Sequence, residues 1–236
     1  QHLYDKGGDN IIVGLEILDR ELDNIQAGQA WGEKNAKANV NASNLCIDYS
    51  DSCDILSLRL HPYNLIRGLK VSLDAAKRLK KPNGECAILT NIGLSYSRLG
   101  ELQKAIGLYE KALVISQKIK DQSNEGAILC NLGNAYIHLG EMHKAIDYHE
   151  QALTIYQKNR NKRRQGAILG NLAIAYASLG KIHEAIKYNK MALAVSQETR
   201  YRKGEGINLC NLGLNYVQLG EIHKAIEYYE QALKIS

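Results

Sequence analysis

The stretch Asn131-Leu132-Gly133-Asn134-Ala135-Tyr136-Ile137-His138-Leu139-Gly140 decides the fold, because the chain restates its frame at a fixed distance. Asn91, Asn131, Asn171 and Asn211 recur every forty residues, as do Tyr96, Tyr136, Tyr176 and Tyr216. Leu-Gly pairs close each frame at Gly100, Gly140, Gly180 and Gly220. Ala105, Ala145, Ala185 and Ala225 follow, then Ala112, Ala152, Ala192 and Ala232. Aligning 123–156 with 203–236 gives 21 identities in 34 positions. A constant period in this range means stacked supersecondary units, each unable to bury its apolar face alone.

Each unit reads as two helices. Leu89, Ile92, Gly93 and Tyr96 fall at i, i+3, i+4 and i+7, one apolar stripe of a helix. Gly100 follows the last periodic residue, where a left-handed C-terminal cap favours a residue without Cβ. A second stripe begins with Leu102, Ala105, Ile106, Tyr109, Ala112 and Leu113. The small residues Gly93, Ala105 and Ala112 let two backbones approach, and Tyr or Leu fills the space opposite. The spacing predicts an all-α fold of stacked antiparallel helical hairpins.

Working outward, residues 83–122, 123–162, 163–202 and 203–236 are repeats 1 to 4, the last one cut by the chain end. Residues 43–82 read as a degenerate repeat: Ile66 and Leu73 match Ile106 and Leu113, and Pro62 suits the first turn of a helix, where its missing N–H is harmless. Pro82 separates this segment from repeat 1. Residues 1–42 form an N-terminal helical segment, with an amphipathic helix from Ile11 to Lys34 that places Leu15, Leu18, Leu22, Ile25 and Trp31 on one side. The opening residues, Gln1 to Lys6, lack the apolar core of a signal peptide. With no initiator Met, the chain reads as a piece of something longer.

The motif Ile92, Gly93, Tyr96, Ala105, Tyr109, Ala112 resembles the tetratricopeptide repeat; the resemblance covers residues 83–236 and implies a right-handed α-solenoid superhelix. Two departures stand out. The period is 40 rather than the usual 34, as in kinesin light chains and the spindle-orientation adaptors, and Gln117 stands where the late-motif Pro is expected. The phrase Leu18-Asp-Arg-Glu-Leu-Asp-Asn-Ile-Gln-Ala-Gly-Gln-Ala-Trp31 resembles the helix preceding the repeats in bacterial signal-transduction ATPases of the STAND type. That resemblance implies a nucleotide-binding module before Gln1, since this chain contains no GxxxxGK[ST] loop.

Composition excludes several classes. The 236 residues are 45% hydrophobic and 23% charged, near the globular average, which argues against disorder. No stretch approaches the ~18 to 20 apolar residues of a membrane span. Phe is absent while Tyr numbers 14, so Tyr and aliphatics must fill the large core positions. The net charge of +5 lies wholly in residues 83–236, since 1–82 carry eleven charges of each sign. The cluster Lys158, Arg160, Lys162, Arg163, Arg164 suggests a nucleic-acid patch, as do Arg200, Arg202 and Lys203 around Tyr201. Against it, basic residues also gather at helix C-termini, where the macrodipole favours them, and no stacking aromatic is interleaved in the first cluster. Cys46, Cys53, Cys86, Cys130 and Cys210 are odd in number, widely spaced and free of CxxC. They read as buried or semi-buried free thiols of a reducing, cytoplasmic compartment.

No catalytic constellation, cofactor motif or metal site is evident, and the expectation is a protein that is not an enzyme. His143, His183 and His223 are one repeat position, about 8 to 10 Å apart in stacked helices, whereas a metal needs ligands about 2 Å from one centre. What remains is the side of each first helix opposite its core stripe. In the tetratricopeptide family this side lines a concave groove that receives a peptide. The resemblance carries that role to Asn91, Leu94 and Arg98 in repeat 1, Asn131, Asn134 and His138 in repeat 2, Asn171 and Ile174 in repeat 3, and Asn211, Leu214 and Gln218 in repeat 4. The Asn ladder admits two readings. An Asn amide can hold a ligand's main chain through donor and acceptor together, or it can bond a neighbouring helix and fix the stacking.

The expectation is therefore a non-enzymatic protein- or peptide-binding module, the sensor or scaffold part of a larger signalling protein. Its alternatives are a fragment of an ATPase switch and a nucleic-acid binder using 158–164. At the C-terminus, the stacking face of the last hairpin, with Tyr216, Ala225 and Leu233, is expected to be covered by another molecule or by further repeats, and self-association through this end would follow.

Overall fold

The structure, a computed structural model, describes residues 9–235; the opening hexapeptide and Ser236 lie outside the described residues. Among these, helices α1 (Asp9–Asn35), α2 (Val40–Asp51), α3 (Cys53–Leu56), α4 (Pro62–Arg78), α5 (Pro82–Arg98) and α6 (Leu102–Ile119) come first. Then follow α7 (Gln122–His138), α8 (Met142–Lys158), α9 (Lys162–Ser178), α10 (Ile182–Glu198), α11 (Arg202–Gln218) and α12 (Ile222–Leu233), with no strand among the described residues. They form two compact units, Gln1–Lys120 and Asp121–Ser236.

In the first unit each long helix packs on the next, and α2 also touches α5. Its core gathers Leu18, Ile47, Leu56, Leu65, Ile66, Leu69, Ile88 and Ile92. Pro62 and Pro82 each open a helix at the first turn. In place of a tight turn, α2 and α4 are joined through the short α3. Arg59 at the end of this connection pairs with Asp19 of α1 through two bonds, 2.5 and 3.0 Å. Arg78 donates to the Ala36 carbonyl and the Ser43 hydroxyl, tying α4 to the α1–α2 turn. Trp31 departs from expectation: it is 51% exposed. Nine residues at ~100° each turn it half a circle away from Leu22, so it cannot share that face.

The second unit repeats one hairpin three times, α7–α8, α9–α10 and α11–α12, each helix packed on its neighbour in sequence. The first helices α7, α9 and α11 also touch one another in succession. Within each hairpin the turn is made by glycine. Gly140 has φ +79°, its N–H donates to the Ile137 carbonyl, and the Glu141 N–H reaches back to the Tyr136 carbonyl. This closes two orphan carbonyls of α7, and a Cβ at this φ would be strained. Between hairpins the same left-handed turn is made by Arg160 (φ 52°) and Arg200 (φ 53°), with Lys80 and Lys120 the counterparts in the first unit. A positive charge at a helix C-terminus offsets part of the cost of the left-handed backbone. Asp121 and Asn161 cap the N-termini of α7 and α9 by accepting from backbone N–H groups.

Small-to-large contact holds each hairpin shut. A Cβ at Gly133 would lie 2.6 Å from the His149 ring, and one at Gly213 2.6 Å from the Tyr229 ring. The first unit has the same pair, Gly93 against Tyr109, at 2.5 Å. Repeat 3 alone differs, with Ala173 and Asn189 in these places. Polar ties join successive hairpins: Gln165 donates to the Tyr156 carbonyl (2.8 Å) and Asn208 to the Ser196 hydroxyl (3.1 Å).

Candidate functional site

The predicted site residues fall on the first helix of each hairpin. Asn91, Leu94 and Arg98 lie along α5 in the first unit, the first two half-buried and Arg98 exposed. Asn91 donates to the Ser50 carbonyl of α2 at 2.9 Å. The others belong to the second unit. Asn131, Asn134 and His138 lie on α7, Asn171 and Ile174 on α9, and Asn211, Leu214 and Gln218 on α11. The Asn171 amide donates to the Asn134 side-chain oxygen at 2.7 Å, linking two consecutive first helices.

Around this link the surface carries exposed aliphatic side chains, with Arg163 lining the hollow that also holds Asn171 and Ile174. Ile174 is 45% exposed, Leu214 55% and Val217 45%, large apolar residues left in water on neighbouring helices. A cavity of about 220 Å³ opens among them, lined by Ile174, Asn211, Leu214 and Gln218 of the predicted set. Two further residues line it that the sequence reading missed, Asn189 of α10 and Asn215 of α11. They are 2% and 4% exposed, and the Asn189 side-chain oxygen and the Asn215 side-chain nitrogen have no hydrogen-bond partner. A buried, unpartnered amide group costs ~1 to 3 kcal/mol. One signal in the sequence marks the place. Position 189 breaks the column Tyr109, His149, Tyr229, and position 173 simultaneously breaks the column Gly93, Gly133, Gly213.

The equivalent position in repeat 2 behaves differently. His149 is fully buried with both ring nitrogens unpartnered, and burial pushes its pKa down to about 4, so the ring is neutral in the fold. It packs against Gly133 and presents no chemistry to solvent.

The other features singled out in the sequence are dispersed. His143, His183 and His223 are exposed in the first turns of α8, α10 and α12, and no group of three or more His, Cys, Asp or Glu among the described residues could hold a metal. The basic cluster is split: Lys158 ends α8 and Arg160 makes the left-handed turn, but Lys162, Arg163 and Arg164 open α9. The dipole explanation therefore holds for its first half only. Lys162 pairs with Glu198 at 3.1 Å, and the Arg163 guanidinium lies 5.7 Å from the Tyr201 ring centre. None of the five cysteines forms a disulfide; four are buried or half-buried, and Cys210 is exposed, contrary to expectation, because it faces a hollow beside α11 and α12. That hollow is also lined by Ile207, Tyr229 and Leu233, the last 74% exposed. Tyr216 and Ala225, expected on the same open face, are instead buried within the hairpin. Among the described residues no helix is long and apolar enough to cross a membrane.

Comparison with known proteins agrees with this geometry. The chain is similar to the crystal structure of BtubC (BKLC) from P. vanneervenii, with TM-score 0.81 and 21% identity over 92% of this chain and 90% of that one. It is similar to kinesin light chain-type TPR-like repeats from Podosopora anserina, with TM-score 0.62 and 20% identity over 91% and 95% of the two chains. It also resembles PH0952 of Pyrococcus horikoshii, a Signal Transduction ATPase with Numerous Domains carrying a tetratricopeptide repeat sensor, with TM-score 0.74 and 19% identity. That match covers 91% of this chain and 34% of PH0952. No curated protein sequence matches the chain. The family model for the tetratricopeptide repeat matches residues 84–158 and 164–236, well over half of the chain. With the forty-residue period, the glycine-turned hairpins and the small-to-large contacts inside them, this match makes the chain a member of the tetratricopeptide repeat family.

Proposed function

We propose that the first-helix face of residues 121–236 holds an extended, partly apolar and uncharged segment of another protein, and that the chain acts without catalysis. The observation that carries this reading is the exposure of Ile174, Leu214 and Val217 beside half-buried Asn171 and Asn211. Large apolar side chains left in water on adjacent helices gain by docking against a partner, and the amides between them supply main-chain hydrogen bonds. Asn91, Leu94 and Arg98 on α5 are proposed to serve the same purpose in the first unit. The role of sensor or scaffold in a larger signalling protein is supported by the phrase Leu18–Trp31 and by the fold shared with the repeat sensor of PH0952.

The test is a random dodecapeptide library selected on the protein. Recovered peptides should bind the variant Ile174→Glu/Leu214→Glu at least about tenfold more weakly, because each carboxylate would be desolvated against an apolar ligand. Both positions are exposed, so circular dichroism should be unchanged. Peptides that bind the variant as tightly as the native protein would refute the reading.

A further inference from the structure

We infer that the basic edge where α9 and α11 begin holds an acidic stretch of the partner, next to the uncharged segment on the first-helix face. The inference deepens the proposed function and rests on it. The clusters Lys158–Arg164 and Arg200–Lys203 carry eight cations and no carboxylate. All eight side chains are exposed. Distant in sequence, the clusters meet at one end of the hairpins. The Arg163 guanidinium lies 5.7 Å from the Tyr201 ring centre, and Lys162 pairs with Glu198 at 3.1 Å.

The fold does not ask for these charges. Lys162, Arg163 and Arg164 occupy the first turn of α9, and Arg202 and Lys203 that of α11, where the macrodipole works against a cation. Helix α7 of the same unit follows the ordinary rule, with Asp121 as its cap and Glu125 in its first turn. At the places of Lys162, Arg163 and Arg164 it has Gln122, Ser123 and Asn124. Like charges gathered on one edge also repel one another, and a row of carboxylates laid across them relieves both penalties.

A second observation, independent of the charge count, points to the kind of partner. A cavity of about 280 Å³ is lined by Arg163 together with Asn171, Ile174 and Asn211, so the basic edge is continuous with the first-helix face. Along α9, Ile174 lies eleven residues beyond Arg163. At 1.5 Å per residue this is ~16 Å, a gap that about five extended residues span. A polypeptide can change from uncharged to acidic over that distance. A nucleic acid cannot, because every nucleotide brings a phosphate. The edge also lacks what nucleic acids use. Tyr201 is the single aromatic residue of the two clusters and has Arg163 over its ring, and α9 and α11 reach the edge only with their first turns, leaving no helix to enter a groove.

The experiment compares library-selected peptides extended by four glutamates, at one end and then the other, with the same peptides extended by four glutamines. We expect the glutamates to tighten binding at least about tenfold at ~50 mM salt at one of the two ends, and most of this gain to vanish at ~300 mM. The edge variant Arg164→Gln/Arg202→Gln/Lys203→Gln should lose the gain, bind the glutamine-extended peptides as the native protein does, and melt no lower than it. Lys181→Gln/Lys187→Gln/Lys190→Gln, which removes the same charge from α10 and its cap, should keep the gain. No gain at either end, a gain that survives in the edge variant, or one lost equally in both variants would overturn the inference. A lower melting temperature of the edge variant would assign the cations to the fold and overturn it as well. Octaglutamate and short single-stranded and duplex DNA test the edge without the first-helix face. DNA bound more tightly than octaglutamate, and released by the edge variant, would make the edge a nucleic-acid surface and refute the acidic peptide. Octaglutamate bound with no library peptide recovered would keep the edge and remove the first-helix face; library peptides indifferent to glutamates would do the reverse.

Discussion

Repeats 2 and 3 share a unit, a hairpin and a register, yet they use their central contact in opposite ways. In repeat 2, glycine at 133 admits the His149 ring and the space between the helices is filled. In repeat 3, a methyl group at Ala173 and a short amide at Asn189 leave room that opens to the surface. The backbone tolerates both because the hairpin is also held by invariant small contacts: Ala145, Ala152, Ala185 and Ala192 are all fully buried. A repeat array can therefore vary one central contact while its neighbours keep the stack closed.

The sharpest way to break the comparison is acid. His149 is neutral in the fold with its pKa near 4, while in the unfolded chain it titrates near 6.5. Below 6.5 the unfolded state takes up a proton that the folded state refuses, so stability is complete above that pH and falls as pH drops toward 4. The loss approaches about 3 kcal/mol. Urea melts at stepped pH should show it, and His149→Asn, importing the side chain of repeat 3, should flatten the profile in this window. An unchanged profile in the variant would mean that other groups govern the acid response.

Second in size is the contact itself. Gly133→Ala forces a methyl group into the imidazole and should cost about 1 to 3 kcal/mol. Adding His149→Asn to it recreates the repeat 3 pair and should recover most of the loss. A double variant no more stable than Gly133→Ala would show that the two positions are not coupled.

The hairpins, their turns and their buried alanines were legible because periodicity reports burial directly: a face that must be covered in every repeat leaves the same letters in every repeat. Trp31 was misplaced because it lies in the single helix α1, where no second copy corrects the phase of the stripe. The left-handed turns at Lys80, Lys120, Arg160 and Arg200 gave no signal, since the sequence rule expects glycine there and the charges answer the helix end instead. The exposed amides and aliphatics of the first helices could be named as a set. Asn189 and Asn215 were not named, because the reading followed what recurs and both positions depart from their repeat columns.

The smallest expected effect concerns the Asn ladder. Asn171→Ala leaves the Asn134 oxygen without its 2.7 Å donor and should lower stability by about 0.5 to 1.5 kcal/mol. If the amide also grips a ligand's main chain, the affinity of a library-selected peptide should fall by a further factor, measured at a temperature where the variant is fully folded. Affinity retained with stability lost would assign Asn171 to stacking alone.

The central claim, that a partner lies along the first helices of the second unit, is tested most directly by mapping one selected peptide onto the isotope-labelled protein by NMR. The account predicts that the shifted backbone amides cluster at Asn171, Ile174, Leu214 and Gln218. Shifts confined to exposed positions of the second helices, such as Glu150, Lys187 and Glu227, would contradict it.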